Sequence, residues 1–253
     1  MTQEYTNINA AVIDSWVANG WEWGKPIDHE TYVRALAGDW FVLLTPTKPV
    51  PKEWFGDLRG KRLLGLASGG GQQIPIFNAC GARCTVLDYS NAQLESERQV
   101  ALREGYLDKV EIVRADMTKP LPFDSESFDL IFHPISNCYV ENVLPIWQEC
   151  YRVLKHGGIL LAGLDNGINF AFHDQTGALQ HKLPFNPLKD PSLFEESMRQ
   201  NDGVQFSHSI EEQIDGQLRA GLRLTHVYQD TNGYGKLHEY GVPTCFATRS
   251  LKD

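Results

Sequence analysis

Between residues 57 and 164, apolar runs of about five residues alternate with segments of helical pattern, and this alternation constrains the chain more than any other feature. Arg62–Leu66, Cys84–Leu87, Val110–Arg114, Phe128–Phe132 and Gly158–Leu164 read as strands. Ile74–Cys80, Asn91–Glu104 and Val143–Leu154 read as the helices between them. Strands this short and this continuously apolar are buried on both faces, as in a parallel sheet covered by helices on each side. The predicted fold is a doubly wound α/β domain.

The flanks are less regular. Residues 1–56 hold five of the six tryptophans and two short helical patterns, around Ile8–Asn19 and His29–Ala37, the second with Asp28 as its expected N-cap. Residues 165–208 break the rhythm and read as loop or insertion. It returns with a helix over Ser209–Ala220, opened by the capping-box pattern Ser-Ile-Glu-Glu, and strands at Leu222–Tyr228 and Thr244–Arg249. We therefore expect one domain over 1–253, with a front segment (1–56), a core (57–164), an insertion (165–208) and a closing part (209–253).

Charge and composition narrow the function classes. Against 32 Asp and Glu stand 23 Lys and Arg, a net charge of −9, so no broad positive surface is available for nucleic acid. No run approaches the length of a membrane span, and the start lacks a basic segment followed by an apolar one. The five cysteines are odd in number and scattered; Cys80 and Cys84 have no His/Cys set to complete a zinc site. The expectation is a cytoplasmic protein with no metal, no nucleic-acid partner and no membrane association, its oligomeric state open.

In a sheet of this kind a ligand sits beyond the carboxyl ends of the strands, near the first one. That end reads Leu66-Ala67-Ser68-Gly69-Gly70-Gly71-Gln72-Gln73. Successive glycines let backbone approach a ligand closely, and Pro75 places the helix start near Gly71–Gln73. Asp88 stands 19 positions after Gly69 and closes the second strand, where a carboxylate accepts hydrogen bonds from two vicinal ribose hydroxyls. Asp116 closes the third strand with Met117 beside it, an acceptor for an exocyclic amine and a thioether to pack on a purine ring. No triphosphate P-loop motif is present. Gly65-x-Ala67-x-x-Gly70 nearly matches a dinucleotide fingerprint, but Ala67 puts a methyl where pyrophosphate would touch backbone. An NAD(P)-dependent oxidoreductase is thus the second reading.

The segments RLLGLASGGGQQ (62–73), TVLDYS (85–90), VRADMTKPLPFDSESFDLIFHPIS (113–136) and YRVLKHGGILLAG (151–163) together resemble the class I S-adenosyl-L-methionine (SAM)-dependent methyltransferases, in their small-molecule-like branch. The resemblance implies a Rossmann-like, seven-stranded, mostly parallel sheet with an antiparallel final strand at PTCFATRS (243–250). It implies SAM as cofactor and a small-molecule methyl acceptor. It also implies that Asp88, with Tyr89 beside it, holds the ribose, that Asp116 and Met117 border the adenine, and that Ala67, Ser68, Gly69, Gly70, Gly71 and Gln72 line the methionine part. The family usually has an acid where Gly65 stands and a glycine where Ala67 stands, which raises a third reading, a SAM-binding protein that does not catalyse.

Methyl transfer from a sulfonium is a displacement that needs a general base only if the acceptor must lose a proton. The segment after the fourth strand, His133 to Tyr139, supplies the candidates. His133 is either a base or a ring lining the cofactor cavity; Tyr139 is a second catalytic candidate, and Asn137 and Tyr139 are expected substrate contacts. In the resembled family the region before the first strand covers the substrate, which points to Trp16 and Trp23 as cavity walls. His173, in the insertion, is the expected contact from the opposite side.

Overall fold

A computed structural model describes residues 4–253. In chain order the elements are α1 (Tyr5–Ala18), α2 (His29–Leu36), β1 (Arg62–Leu66), α3 (Ile74–Ala79), β2 (Arg83–Asp88), α4 (Asn91–Glu104), β3 (Val110–Arg114), β4 (Phe128–His133), α5 (Leu144–Val153) and β5 (Leu154–Asp165). There follow α6 (Ile168–Ala171), α7 (Pro191–Gln200), α8 (Gly216–Arg219), β6 (Leu222–Asp230), α9 (Gly235–Glu239) and β7 (Cys245–Lys252). The strands form one seven-stranded sheet in the order β3-β2-β1-β4-β5-β7-β6. β1 to β5 pair in parallel, and β7 runs antiparallel to both of its neighbours. The sheet is the doubly wound one expected from the alternation.

Strand parity divides the core between two faces. Leu63, Leu130, Phe132 and Leu161 join Phe55, Phe77 and Val86 on the face covered by α3, α4 and the front segment. Leu64, Leu66, Ile131, Leu160, Ala162 and Leu164 join Trp147 and Cys150 of α5 on the other. All of these are buried, and each large apolar side chain removed from water contributes about 1.5–3 kcal/mol.

Several boundaries differ from the sequence expectation for local reasons. α1 begins at Tyr5, whose ring packs edge-on against Phe206 at 5.3 Å. The stretch 165–208 is not all loop: Asp190 accepts from the amides of Ser192 and Leu193 and, with Pro191 at the first position, starts α7. The helix expected over Ser209–Ala220 is a π-helical turn, Glu211–Asp215, followed by α8. Its capping box forms as read, with Ser209 N donating to Glu212 Oε2 (2.9 Å) and Glu212 N to Ser209 Oγ (3.1 Å). Asp28 caps α2 through the Thr31 amide at 2.8 Å.

One buried acid lies between α4 and the turn after β1. Glu97 lies on α4 with no exposed surface and accepts from the Tyr106 hydroxyl at 3.0 Å. Burial pushes its pKa up to about 8, against the lowering effect of Tyr106 and the Gly71 amide. A carboxyl raised in the folded state holds its proton there while the unfolded chain has lost it, so its contribution is full below the unfolded value and is lost as pH rises toward 8. Urea midpoints between about pH 5 and 8 are expected to fall for the native chain and to fall less for Glu97→Gln; equal slopes would contradict the assignment.

Candidate active site

β1 ends at Leu66, and the Ala67 amide donates to the Leu87 carbonyl at 2.8 Å, tying the turn to the end of β2. Ala67 has φ 48°, a left-handed conformation that favours glycine and stores strain of order 1 kcal/mol in alanine. The Gly69 amide donates to Asp88 Oδ2 at 3.1 Å, and the Ser90 amide to Asp88 Oδ1 at 3.0 Å. A Cβ at Gly69 would lie 2.6 Å from Gln93 Cβ and 3.0 Å from Asp88 Oδ2, so only glycine lets the two strand ends close to this degree. Burial raises the Asp88 pKa, opposed by the amides of Ser90, Gly69 and Tyr89.

Over this crest lies a cavity of ≈ 410 Å³, a common size for a small-molecule site. Ala67, Ser68, Gly69 and Gln72 line it from the turn, Asp88 and Tyr89 from the end of β2, and Asp116 and Met117 from the end of β3. Trp16, Trp23 and Tyr139 line it from the front segment and the segment after β4. The front segment is fastened to the crest by polar contacts. Asp14 of α1 accepts from Ser90 Oγ (2.5 Å) and the Ala92 amide (2.9 Å), Tyr89 donates to Asn7 Oδ1 (2.7 Å), and Gln72 Nε2 donates to the carbonyls of Glu22 (2.6 Å) and Lys25 (3.0 Å).

Five expected site residues do not line the cavity. Gly70 donates its amide to the Gln93 carbonyl at 2.8 Å, and the Gly71 carbonyl accepts from Ile27, so both glycines serve the packing of the turn against α4 and the front segment. His133 is fully buried, with Nδ1 2.9 Å from the Leu66 carbonyl and Nε2 2.8 Å from the Asn137 carboxamide. Burial lowers its pKa, and neither ring nitrogen is free to take a substrate proton. Asn137, with Nδ2 donating to Gln213 Oε1 at 3.0 Å, joins the same internal network. His173 is exposed in a turn of the insertion, where Nδ1 accepts from the Gln175 amide. Tyr139 does face the cavity, but burial pushes its phenol well above the ordinary value, which suits a hydrogen-bond donor and not a base.

Residues that the sequence reading left out also line the cavity, among them Gln93, Asp165 and Asn232. Asp165 is the last residue of β5 and stands at the same edge as Asp88 of β2, one residue beyond the Leu164 at which the sequence pattern ends the strand. A nucleoside cofactor fits this geometry. Each Asp88 oxygen accepts one backbone amide and keeps a lone pair, Gly69 presents no side chain, and Gln93 Oε1 is buried without a partner. Gly65 has a packing reason: a Cβ there would lie 2.5 Å from Ile74 Cδ1, so Ile74 occupies the space of the usual acid.

Comparison with known proteins gives the same direction. Residues 64–162 match the family model described as a methyltransferase domain (Methyltransf_11). The uncharacterized methyltransferase YbaJ of Bacillus subtilis (strain 168) is 41% identical over 251 residues, covering 96% of this chain and 97% of its own. Among solved structures, an S-adenosylmethionine-dependent methyltransferase from Mesorhizobium loti superposes with TM-score 0.63 at 20% identity, over 79% of this chain and 94% of that one. The geranyl diphosphate C-methyltransferase of Streptomyces coelicolor A3(2), solved with geranyl diphosphate and S-adenosyl-L-homocysteine, superposes with TM-score 0.58 at 16% identity, over 80% and 77%. With sheet order, crest geometry and a relative matched along nearly its whole length, the chain belongs to the class I SAM-dependent methyltransferases.

Proposed function

We propose that this methyltransferase holds SAM across the crest of β1 and β2 and methylates a small-molecule acceptor in the remainder of the same cavity. The observation that carries the reading is the Asp88 carboxylate, fixed by two backbone amides and lining the cavity beside Gly69. Asp88 is assigned to the ribose hydroxyls, Asp116 and Met117 to the adenine, and Ala67, Ser68, Gly69 and Gln72 to the methionine part. The bound cofactor supplies a methyl group activated by a positively charged sulfur. The chain's part is alignment and exclusion of water: Trp16, Trp21 and Trp23 form an apolar wall from the front segment, and an aromatic face also attracts a cation. Displacement of this kind calls for no metal ion. His133, held inside the fold at both nitrogens, supports the wall of the site and takes no proton.

Isothermal titration with S-adenosyl-L-homocysteine tests the cofactor assignment. Micromolar binding is expected for the native chain, weakened by about 1–3 kcal/mol, or roughly five- to 150-fold, in Asp88→Ala as its hydrogen bonds are lost; no binding at millimolar ligand overturns the reading, and NADH is expected to have no effect. A second expectation separates scaffold from site. His133→Gln should lower the melting temperature, because it breaks a fully buried network, yet leave S-adenosyl-L-homocysteine affinity within about threefold. A larger loss of affinity would return His133 to the cofactor site.

A further inference from the structure

The far end of the cavity, beyond the residues assigned to the cofactor, has a one-sided chemistry. Asp165 is buried at the end of β5, where Oδ1 accepts the Gly167 amide at 2.9 Å and Oδ2 has no partner. Asn169 Oδ1, on α6, and Asn232 Oδ1, just past the end of β6, are likewise buried without partners. All three residues line the cavity. Asp165 and Asp230 are both register partners of Cys245, so the ends of β5 and β6 stand about 10 Å apart, two strand spacings, with Cys245 lining the floor between them.

A buried polar atom left unpaired costs about 1–3 kcal/mol, so three at one place point to a ligand that supplies what they lack. What they lack is donors. Among the described residues no Lys, Arg or His lines the cavity, whereas Glu22, Asp88, Asp116 and Asp165 do. Nothing in this lining compensates a phosphate or carboxylate, and such a group beside Asp165 would add like-charge repulsion to its own desolvation. A hydroxyl offers one donor; an ammonium offers three, and it carries the charge that Asp165 complements. Trp16, Trp21, Tyr139 and Tyr234 supply aromatic faces in the same cavity, suited to an apolar body and to a nearby cation. Burial raises the Asp165 pKa, and the neighbouring His208 acts in the opposite sense.

We propose that Asp165, Asn169 and Asn232 form the head-group subsite of the methyl acceptor, and that this acceptor is a small amine with an apolar body. The proposal rests on the SAM reading above for the assignment of the rest of the cavity.

The test uses three probes with one body and different heads, namely phenethylamine, phenethyl alcohol and hydrocinnamate, titrated calorimetrically into the full chain saturated with S-adenosyl-L-homocysteine. The amine is expected to bind at least about tenfold more tightly than the carboxylate. In Asp165→Asn, checked for folding by its melting temperature, that preference should fall to within about twofold while alcohol binding changes little. Equal or tighter binding of hydrocinnamate, no binding of the amine at about 5 mM, or an unchanged preference in Asp165→Asn overturns the subsite. The two readings fail separately: absence of S-adenosyl-L-homocysteine binding in the first titration removes the cofactor assignment and the subsite with it, whereas normal cofactor binding without amine preference removes the subsite alone.

Discussion

The contact between the Gly69 amide and Asp88 holds the site in shape. It joins the turn after β1 to the last residue of β2 across 3.1 Å, and it forms only because position 69 carries no side chain. A charge-assisted hydrogen bond of this kind, buried and backed by the Ser90 amide, fixes the carboxylate without consuming all of its acceptor capacity. The same acid is thus structural toward the backbone and open toward the cavity. Burial raises its pKa, and the amides around it act in the opposite sense and favour the charged form.

From that crest the front segment acquires its position. α1 is fastened by its polar side chains: Asp14 caps the start of α4, while Asn7 receives the Tyr89 hydroxyl. The Glu22–Gly24 turn is bound to Gln72 and Ser96 through its own and adjacent carbonyls. The tryptophans above the cavity are consequently placed by hydrogen bonds to the turn after β1, the end of β2 and α4, so the wall of the cavity and its floor are one connected network. A change in the turn is felt in the wall.

Much of this was readable from the residues. The five parallel strands, the glycine turn and the acid at the end of β2 follow from period, punctuation and offset, all local properties. His133 was less well read, although its parity holds the answer: Ile131 faces the cluster around Trp147, and His133, two residues on, points the same way and packs edge-on against Trp147 at 6.1 Å. Asn137 follows it into the interior because its partners, His133 and Gln213, are buried there. Asp165 was missed because a polar residue closing an apolar run looks like the start of a loop; only pairing with Cys245 shows that β5 continues through it. Asn232 depends on where β6 ends beside a strand that comes later in the chain, which no local pattern encodes.

The acidic balance of the chain, first an argument against nucleic acid, has a further meaning inside the cavity. Glu22, Asp88, Asp116 and Asp165 line it from four different segments, with no cationic side chain among the described lining residues. In a partly enclosed space charges interact more strongly than in water, so this lining favours a positively charged occupant over a neutral one of the same shape. In the proposed reaction the cofactor enters carrying a positive sulfur and leaves as a neutral thioether. The protein's field therefore weakens its hold once the methyl group has gone, which favours release of the spent cofactor. An amine acceptor runs the other way: bound as an ammonium it has no lone pair, so it first gives one proton to the open Asp165 oxygen, and its nitrogen becomes cationic again on taking the methyl group. Its departure must rely on added bulk and on the loss of an N–H donor to the acceptors at the ends of β5 and β6.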